Sequence, residues 1–337
     1  MDHRRAWVGL LAARLITVTL SGSADAQTAG PRSTGQPGTA GAASASRPVP
    51  VPLRPEALMA TVRRLASEEF AGRAAGTDGN ALARAYVRER FAAAKLQPMF
   101  GDRYEQSFTF TPRARGGATA MPLAGTNLVG RCDGRRPELP VLVLSAHFDH
   151  LGVRGGQMHP GADDNASGVA VLLAVAEVCR TAPFDRTVIV AAFDAEENGL
   201  QGARAFVDAA VVPRERIALN VNLDMVARGD KGELYAAGAF HSPRVKTLLT
   251  PVAARAPIRL LFGHDDPKTG RDDWTQQSDH GVFHAAGVPF VYFGVEDHPD
   301  YHRPSDTPDR IDADVFGKAA LTILDALRAL DAGWPVP

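Results

Sequence analysis

Apolar positions along the chain follow two periodicities in turn, and their order predicts the fold class. Helical spacing begins after Pro55 and returns in five later stretches, at residues 79–94, 166–180, 200–210, 243–256 and 314–330. Short runs rich in β-branched residues lie between them, at residues 127–130, 141–145, 187–194, 217–224, 234–237 and 288–293. Strands that alternate with helices predict an α/β fold with three layers, α/β/α, around a mostly parallel, mixed central β-sheet.

The first residues have the layout of a secretory signal. Two arginines precede an apolar stretch from Ala6 to Leu20, and the segment 24–26 fits an A-x-A cleavage site. We therefore expect residues 1–26 to be a signal peptide and the mature protein to be secreted or periplasmic. Arg14 interrupts the apolar stretch, and a disordered N-terminus with a chance hydrophobic patch is the alternative.

Residues 27–54 have the composition of a disordered linker. They are dominated by Gly, Ala, Ser, Thr and Pro without apolar periodicity, so they cannot bury enough surface to offset the entropy of ordering. A single catalytic domain is then expected over residues 55–333. Nothing in that domain approaches the roughly 18 consecutive apolar residues of a membrane span, and no membrane contact is expected once the signal is removed.

Charge and cysteine content narrow the possible partners and metal sites. The chain has 337 residues, and 37 Lys and Arg stand against 38 Asp and Glu. No basic block could track a phosphate backbone, so a nucleic-acid partner is not expected. Cys132 and Cys179 are the only cysteines, too few for a cysteine-based zinc site. A disulfide between them and two buried free thiols both agree with the sequence.

Acidic residues and a histidine follow three predicted strands at the point where each strand ends. His147 and Asp149 follow the run VLVLSA, Glu196 and Glu197 follow VIVAAFDA, and Asp224 follows IALNVNL. Ligands of open α/β sheets bind in the crevice outside the carboxyl ends of the strands. The sequence therefore predicts that these side chains converge on one site.

Taken alone, each of these residues is only weak evidence for a metal site. Asp149 could orient the imidazole of His147 while its other nitrogen binds a metal. Adjacent carboxylates at 196 and 197 would repel each other unless a cation or a shared proton lies between them. Asp164, in the turn GADDNASG, could simply cap a helix, and His302, in DYHRPSDT, could be a surface histidine.

Taken together, these residues predict a metal centre. Two histidines and three carboxylates form an oxygen and nitrogen donor set that suits zinc, namely His147, Asp164, Glu197, Asp224 and His302. Five ligands exceed what one tetrahedral zinc uses. If Asp164 bridges, each of two ions receives one histidine, one further carboxylate and the shared carboxylate. Two-metal hydrolytic sites hold their ions about 3.5–4 Å apart.

Five motifs in this order give the chain a specific resemblance. SAHFDH, PGADDNASG, FDAEENGLQG, NLDM and YHRPSDT resemble the clan MH di-zinc peptidases, the bacterial leucyl aminopeptidase and aminopeptidase Y family. The segments EFAGRAAGTDGN and SDHGVFHAAGVP are also similar to that family, and the resemblance covers about residues 55–330.

The resemblance implies a role for each residue. His147, Asp164 and Asp224 match the ligands of one zinc, and Asp164, Glu197 and His302 match those of the other. Glu196 matches the general base, Asp149 matches the carboxylate behind His147, and the bond between Asp164 and Asn165 corresponds to a non-proline cis peptide. Asp163 and His150 stand beside matched residues, so which neighbour binds metal stays open.

The implied activity is that of a secreted zinc aminopeptidase with two Zn²⁺ ions per chain and peptides with a free N-terminus as substrates. A glutaminyl cyclase of the same fold, with one zinc, is one alternative. A carboxypeptidase that reads a C-terminal carboxylate through Arg228 or Arg271 is another, and a non-catalytic binding domain is a third.

The polar loop 262–280, with Trp274, and Tyr301 are candidates for the specificity pocket, whereas core packing is expected for Tyr292 and Phe293.

Overall fold

The computed structural model describes residues 49–112 and 121–335. The predicted signal peptide at residues 1–26, and the predicted linker as far as residue 48, lie outside the described residues. The last part of that linker is packed against the domain, because Val51–Leu53 form a 3₁₀ turn and the side chain of Leu53 is fully buried. Packing therefore begins before the predicted domain boundary at residue 55.

The helices of the described chain include the six expected from helical spacing, with ends that differ by a few residues. They are α1 (Pro55–Leu65), α2 (Asp78–Ala93), α3 (Gly168–Thr181), α4 (Gln201–Asp208), α5 (Pro243–Ala253), α6 (His280–Ala285) and α7 (Ala313–Gly333). The short helix α6 follows the polar loop and was not predicted. A wide, π-type turn at Ala162–Ser167 also precedes α3 where the sequence predicted the start of that helix.

Each of the six predicted strands forms, and five further short strands accompany them. The strands are β1 (Gln97–Pro98), β2 (Glu105–Phe110), β3 (Leu123–Cys132), β4 (Val141–His147), β5 (Gly152–Arg154), β6 (Gln157–His159), β7 (Val188–Phe193), β8 (Ile217–Leu223), β9 (Glu233–Ala237), β10 (Arg259–Phe262) and β11 (Phe290–Gly294). Strands β5 and β6 pair only with each other, as a hairpin.

The remaining nine strands form one mixed sheet, which confirms the predicted fold class. Its order is β1-β3-β7-β4-β8-β11-β9-β10, with β2 paired to β3. The four central strands β7, β4, β8 and β11 are parallel to one another. Antiparallel pairing occurs toward the edges, where β3 meets β7 and β9 meets β11. The central strands therefore all end at the same edge of the sheet.

Helices cover both faces of this sheet, and alternation along the strands separates two cores. In β4, Leu142 and Leu144 face the larger core, to which α1, α2, α3, α5 and α7 contribute. Val143, between them, faces the second core, which contains residues of α4 and α6. Because both faces are covered, the central strands read as nearly continuous apolar runs, and the polar residues inside them, Ser145, Asn220 and Asn222, are hydrogen-bonded to one another.

Cys132 in β3 and Cys179 in α3 form a disulfide, with their Cα atoms 6.5 Å apart. This resolves the choice between a disulfide and free thiols that the sequence left open.

None of the described helices combines the length and the apolar character that crossing a membrane would require.

Candidate metal centre

A cleft of about 990 Å³ lies at the carboxyl ends of the central strands. The six residues that were predicted as metal ligands or general base all line it, namely His147, Asp164, Glu196, Glu197, Asp224 and His302. His147 is the last residue of β4, the turn 196–198 follows β7 and Asp224 follows β8. The turn before α3 supplies Asp164, and the loop after β11 supplies His302. The structure thus brings these residues together as the sequence predicted.

Asp164 lies at the middle of this cluster and presents one carboxylate oxygen to each side. Its Oδ1 is 3.4 Å from Nε2 of His147, and the same nitrogen is 3.4 Å from Oδ1 of Asp224. Its Oδ2 is 3.0 Å from Nε2 of His302, which is 3.5 Å from Oε1 of Glu197. Each side therefore holds one histidine nitrogen and one further carboxylate, with Asp164 shared between the sides.

Backbone contacts fix Asp164 in this position and direct its neighbour elsewhere. The carboxylate of Asp306 accepts hydrogen bonds from the backbone nitrogens of both Asp163 and Asp164. Asp163 points away from the cleft, since its Oδ1 accepts a bond from the nitrogen of Ala227 at 2.8 Å and its Oδ2 lies 3.2 Å from Nε2 of His298. Of the two adjacent aspartates, Asp164 is the one that the structure places at the metal centre.

The residue after Asp164 ties the turn to the end of a neighbouring strand. The peptide bond between Asp164 and Asn165 is cis, as the resemblance implied. The Asn165 amide donates to the carbonyl of Leu223 at 2.9 Å, directly before Asp224. This bond therefore holds the turn that carries Asp164 next to the end of β8, where Asp224 follows.

Asp149 holds two parts of the site rather than one. The sequence predicted a hydrogen bond between its carboxylate and His147, but Nδ1 of His147 lies 3.2 Å from the backbone carbonyl oxygen of Asp149 and 3.6 Å from the carboxylate Oδ1. The same carboxylate accepts hydrogen bonds from the backbone nitrogens of Glu196 at 3.0 Å and Glu197 at 3.3 Å. Asp149 therefore also orients the turn that carries the adjacent glutamates, which the sequence did not reveal.

His150 is a further histidine donor that the sequence left ambiguous. It is fully buried, and its Nδ1 is 2.8 Å from Oε1 of Glu197 and 3.7 Å from Oδ2 of Asp164. Two triads offer ligand atoms within 4.8 Å of one another, His147 with Glu196 and Asp224, and His150 with Asp164 and Glu197. On the Glu197 side, the buried His150 and the more exposed His302 thus flank the same carboxylate oxygen.

Protonated histidines balance the charge of these carboxylates in the metal-free protein. Burial alone would lower the pKa of His302, but its bonds to Asp164 and Glu197 raise that pKa to about 10. Burial would raise the pKa of Asp164, yet His150, His147 and His302 hold it well below its usual range. Asp164 is therefore stabilised as an anion by positive charge that a metal ion would supply equally well.

The donor set fits zinc. Within the described residues, Nε2 of His150 is buried with neither a hydrogen bond nor an ion pair, and Oδ1 of Asp224 and Oε1 of Glu197 contact only the nitrogens of other candidate ligands. Buried polar atoms are seldom left in that condition unless an ion, water or ligand satisfies them. Imidazole and carboxylate donors in this ratio are typical of zinc.

The outer wall of the cleft is partly aromatic. Trp274, from the polar loop, lines the cleft and stacks on His264 with ring centroids 3.7 Å apart. Tyr301 lines it as well. Tyr292 is largely buried, as expected, but it also reaches the cleft, and its hydroxyl donates to the carbonyl of Asp224 at 3.1 Å. Phe293 is wholly core.

Comparison with known proteins agrees with this architecture. The model of the family described as peptidase family M28 matches residues 127–327. The aminopeptidase YwaD of Bacillus subtilis is 30% identical to this chain over 195 residues, a match that covers 55% of this chain and 40% of YwaD. The chain thus spans less than half the length of that curated relative.

Two solved structures share the fold. BSAP, a zinc aminopeptidase from Bacillus subtilis, superposes with a TM-score of 0.66 at 18% identity, over 83% of this chain and 95% of that one. Porphyromonas gingivalis glutaminyl cyclase superposes with a TM-score of 0.64 at 18% identity, over 81% of this chain and 97% of that one. One fold is therefore shared with two different activities, and the site has to distinguish them.

Zinc should stabilise the folded chain, since an ion that binds only the native state adds about 2.7 kcal/mol when its free concentration is about 100 times Kd. We expect Asp164→Asn, which weakens the shared ligand, to lose most of this stabilisation. Thermal unfolding of chelator-treated protein, with and without added Zn²⁺, measures the effect. Asp102→Asn, at an exposed acid in a turn, is the control and should respond like the wild type. An Asp164→Asn variant that gains as much from zinc as the wild type would refute the assignment.

Proposed function

The chain belongs to peptidase family M28, and from that premise we propose that it is an exported aminopeptidase with two zinc ions. The observation that carries the proposal is the position of Asp164, whose two oxygens address two separate groups that each contain a histidine and a further carboxylate. The ligands proposed for the two ions are His147, Asp164, Glu197, Asp224 and His302. When bound, such a pair polarises a scissile carbonyl and makes an attacking water more acidic.

Glu196 is the proposed proton carrier. It lines the cleft, and Asp149 fixes its backbone nitrogen, so its position is set by the same residue that orients His147. Burial, together with the charges of Asp279 and Glu197, raises the pKa of Glu196 well above its usual range. A carboxylate with raised proton affinity is suited to take a proton from water and to return it to the leaving amine.

Two carboxylates of the cleft are left to bind a free amino group. The lining carries Asp164, Glu196, Glu197, Asp224 and Asp297, and three of these are proposed zinc ligands. Glu196 and Asp297 would then be the carboxylates that attract an N-terminal ammonium group, which an acetylated peptide lacks. We therefore propose peptides with a free N-terminus as substrates.

The alternatives are less well supported by particular residues. A cyclase with one zinc would need only one of the two groups around Asp164, whereas each group here holds a histidine and a carboxylate besides Asp164. For a carboxypeptidase, Arg228 would have to be available to a substrate carboxylate. Arg228 is instead paired with Asp230 at 2.8 Å and with Asp300 at 2.9 Å.

Two features support export. The N-terminal pattern of charged, apolar and small residues is typical of secretory signals. The disulfide between Cys132 and Cys179 is of a kind that persists in oxidising compartments and is rare in the cytosol.

One substrate panel tests the activity. The purified chain would be offered the same peptide with a free amine, with an acetylated amine and with an amidated C-terminus, together with a peptide that begins with Gln. We expect cleavage of the free-amine and C-amidated peptides, none of the acetylated one, and loss of activity with a chelator. Formation of a cyclised product from the Gln peptide would instead assign the cyclase activity, and turnover limited to free C-termini would assign the carboxypeptidase.

Replacement of the proton carrier tests the mechanism. Because general acid–base catalysis contributes roughly 10²–10⁴-fold, we expect Glu196→Ala to lower kcat by at least about 100-fold. Its zinc content, measured by elemental analysis, should stay at that of the wild type. Glu89→Ala, on an exposed face of α2, is the control and should keep full activity. An active Glu196→Ala enzyme would exclude the proposed role.

A further inference from the structure

Arg73 is a fully buried residue next to the metal centre, in the segment between α1 and α2. Its guanidinium donates hydrogen bonds to four backbone carbonyls. Nε binds the carbonyl of Phe148 at 2.8 Å, Nη1 binds those of Leu65 at 2.9 Å and of Pro160, and Nη2 binds that of Gly161 at 2.8 Å. One side chain therefore joins three separate parts of the chain.

Two of those parts carry the proposed zinc ligands. Phe148 stands between His147 and Asp149, so the bond from Nε fixes the backbone that carries the first ligand and the carboxylate behind it. Pro160 and Gly161 begin the turn that leads to Asp164. The planar guanidinium of Arg73 therefore fixes the distance between His147 and the carboxylate of Asp164.

The backbone around Arg73 strengthens the same connection. The carbonyl of Arg73 accepts a bond from the nitrogen of His150 at 3.3 Å, and the carbonyl of Gly72 accepts one from Gly152 at 3.0 Å. Gly161 itself has a left-handed φ of 59°, and a Cβ there would lie 2.2 Å from the carbonyl oxygen of Asp164. The turn is therefore closely folded around residue 161, so a shift of the Gly161 carbonyl would be transmitted to Asp164.

Arg73 also differs from a typical buried arginine in its charge partners. Among the described residues, no carboxylate lies within ion-pair distance of its guanidinium, and the negative charges that act on it include those of Asp164, Asp149 and Glu197. Burying a cation without a paired anion is costly. Burial lowers the pKa of Arg73 to about 10, and the charges of Asp164 and Asp149 offset part of that effect.

We propose that Arg73 is a positioning residue of the metal centre, which holds the loops of His147 and Asp164 at the separation that zinc binding requires. The inference rests on the proposed zinc-dependent function. Arg73 touches neither substrate nor metal and acts through the backbone of the ligand loops. Lysine in its place keeps the positive charge but cannot span four carbonyls, so Arg73→Lys separates the geometric role from the electrostatic one.

Arg186 offers a matched control elsewhere in the fold. It is also almost completely buried, and its guanidinium also donates to backbone carbonyls, those of Asp331 at 2.6 Å and Trp334 at 2.8 Å. These bonds tie the end of α7 to the segment before β7 rather than to a ligand loop. Arg186→Lys should therefore destabilise the fold in a similar way without touching the metal centre.

The experiment compares zinc affinity in the full chain and its variants. Chelator-treated protein would be titrated with Zn²⁺ in competition with a chromophoric chelator, and urea unfolding without metal would report stability. Loss of a residue that orients metal ligands typically weakens binding by about 10–100-fold, and we expect that loss in Arg73→Lys. We expect the zinc affinity of Arg186→Lys to stay within about twofold of that of the wild type, even if the variant is less stable.

The outcomes are distinguishable. Zinc binding by Arg73→Lys that equals the wild type, or an equal weakening in Arg186→Lys, would overturn the inference and leave the proposed function standing. A wild-type chain that binds no zinc would overturn both. If Arg73→Lys does not fold, Arg73→Gln, which buries no charge and reaches fewer carbonyls, is judged by the same comparison.

Discussion

Carboxylates at the carboxyl ends of neighbouring parallel strands repel one another, and the organisation of the cleft follows from how that repulsion is balanced. Asp164, Glu197 and Asp224 are all nearly buried, so water screens their charges poorly. In the metal-free protein the compensating charge comes from protons on His147 and His302, whose pKa values are raised. Metal ions at the same positions would replace those protons, which couples zinc binding to proton release.

Several buried hydrogen bonds hold these charged side chains in place. The parallel strands β4, β7 and β8 bring the ligands to one edge, but the fine positions come from bonds to backbone atoms. Asp306 binds the nitrogens of the Asp164 turn, Asp149 binds those of the glutamate turn, and Arg73 binds the carbonyls of two ligand loops. Anions thus hold backbone nitrogens and a cation holds backbone oxygens, so each buried charge is used to fix a ligand-bearing segment.

The sequence predicted what depends on local patterns. The central strands were found because they are buried on both faces and read as apolar runs. His147, Glu197 and Asp224 were found because each follows such a run, whereas Asp164 and His302 lie in a turn and a loop and were assigned as part of the donor set and by the motif resemblance. The edge strands β1 and β2 were missed, since Gln97–Pro98 is too short and Glu105–Phe110 is mixed in composition. Arg73 could not be found in this way, because two of its partners lie 75 and 87 residues away in the sequence. These partners are backbone carbonyls, which every residue has, so no residue type in the sequence marks them.

Anomalous diffraction from crystals grown with zinc would show whether Asp164 lies between two metal ions. We expect two peaks about 3.5–4 Å apart, one near His147 and Asp224 and one near Glu197, with a carboxylate oxygen of Asp164 directed at each. A single peak, or two peaks on the same side of Asp164, would contradict the proposed two-ion site.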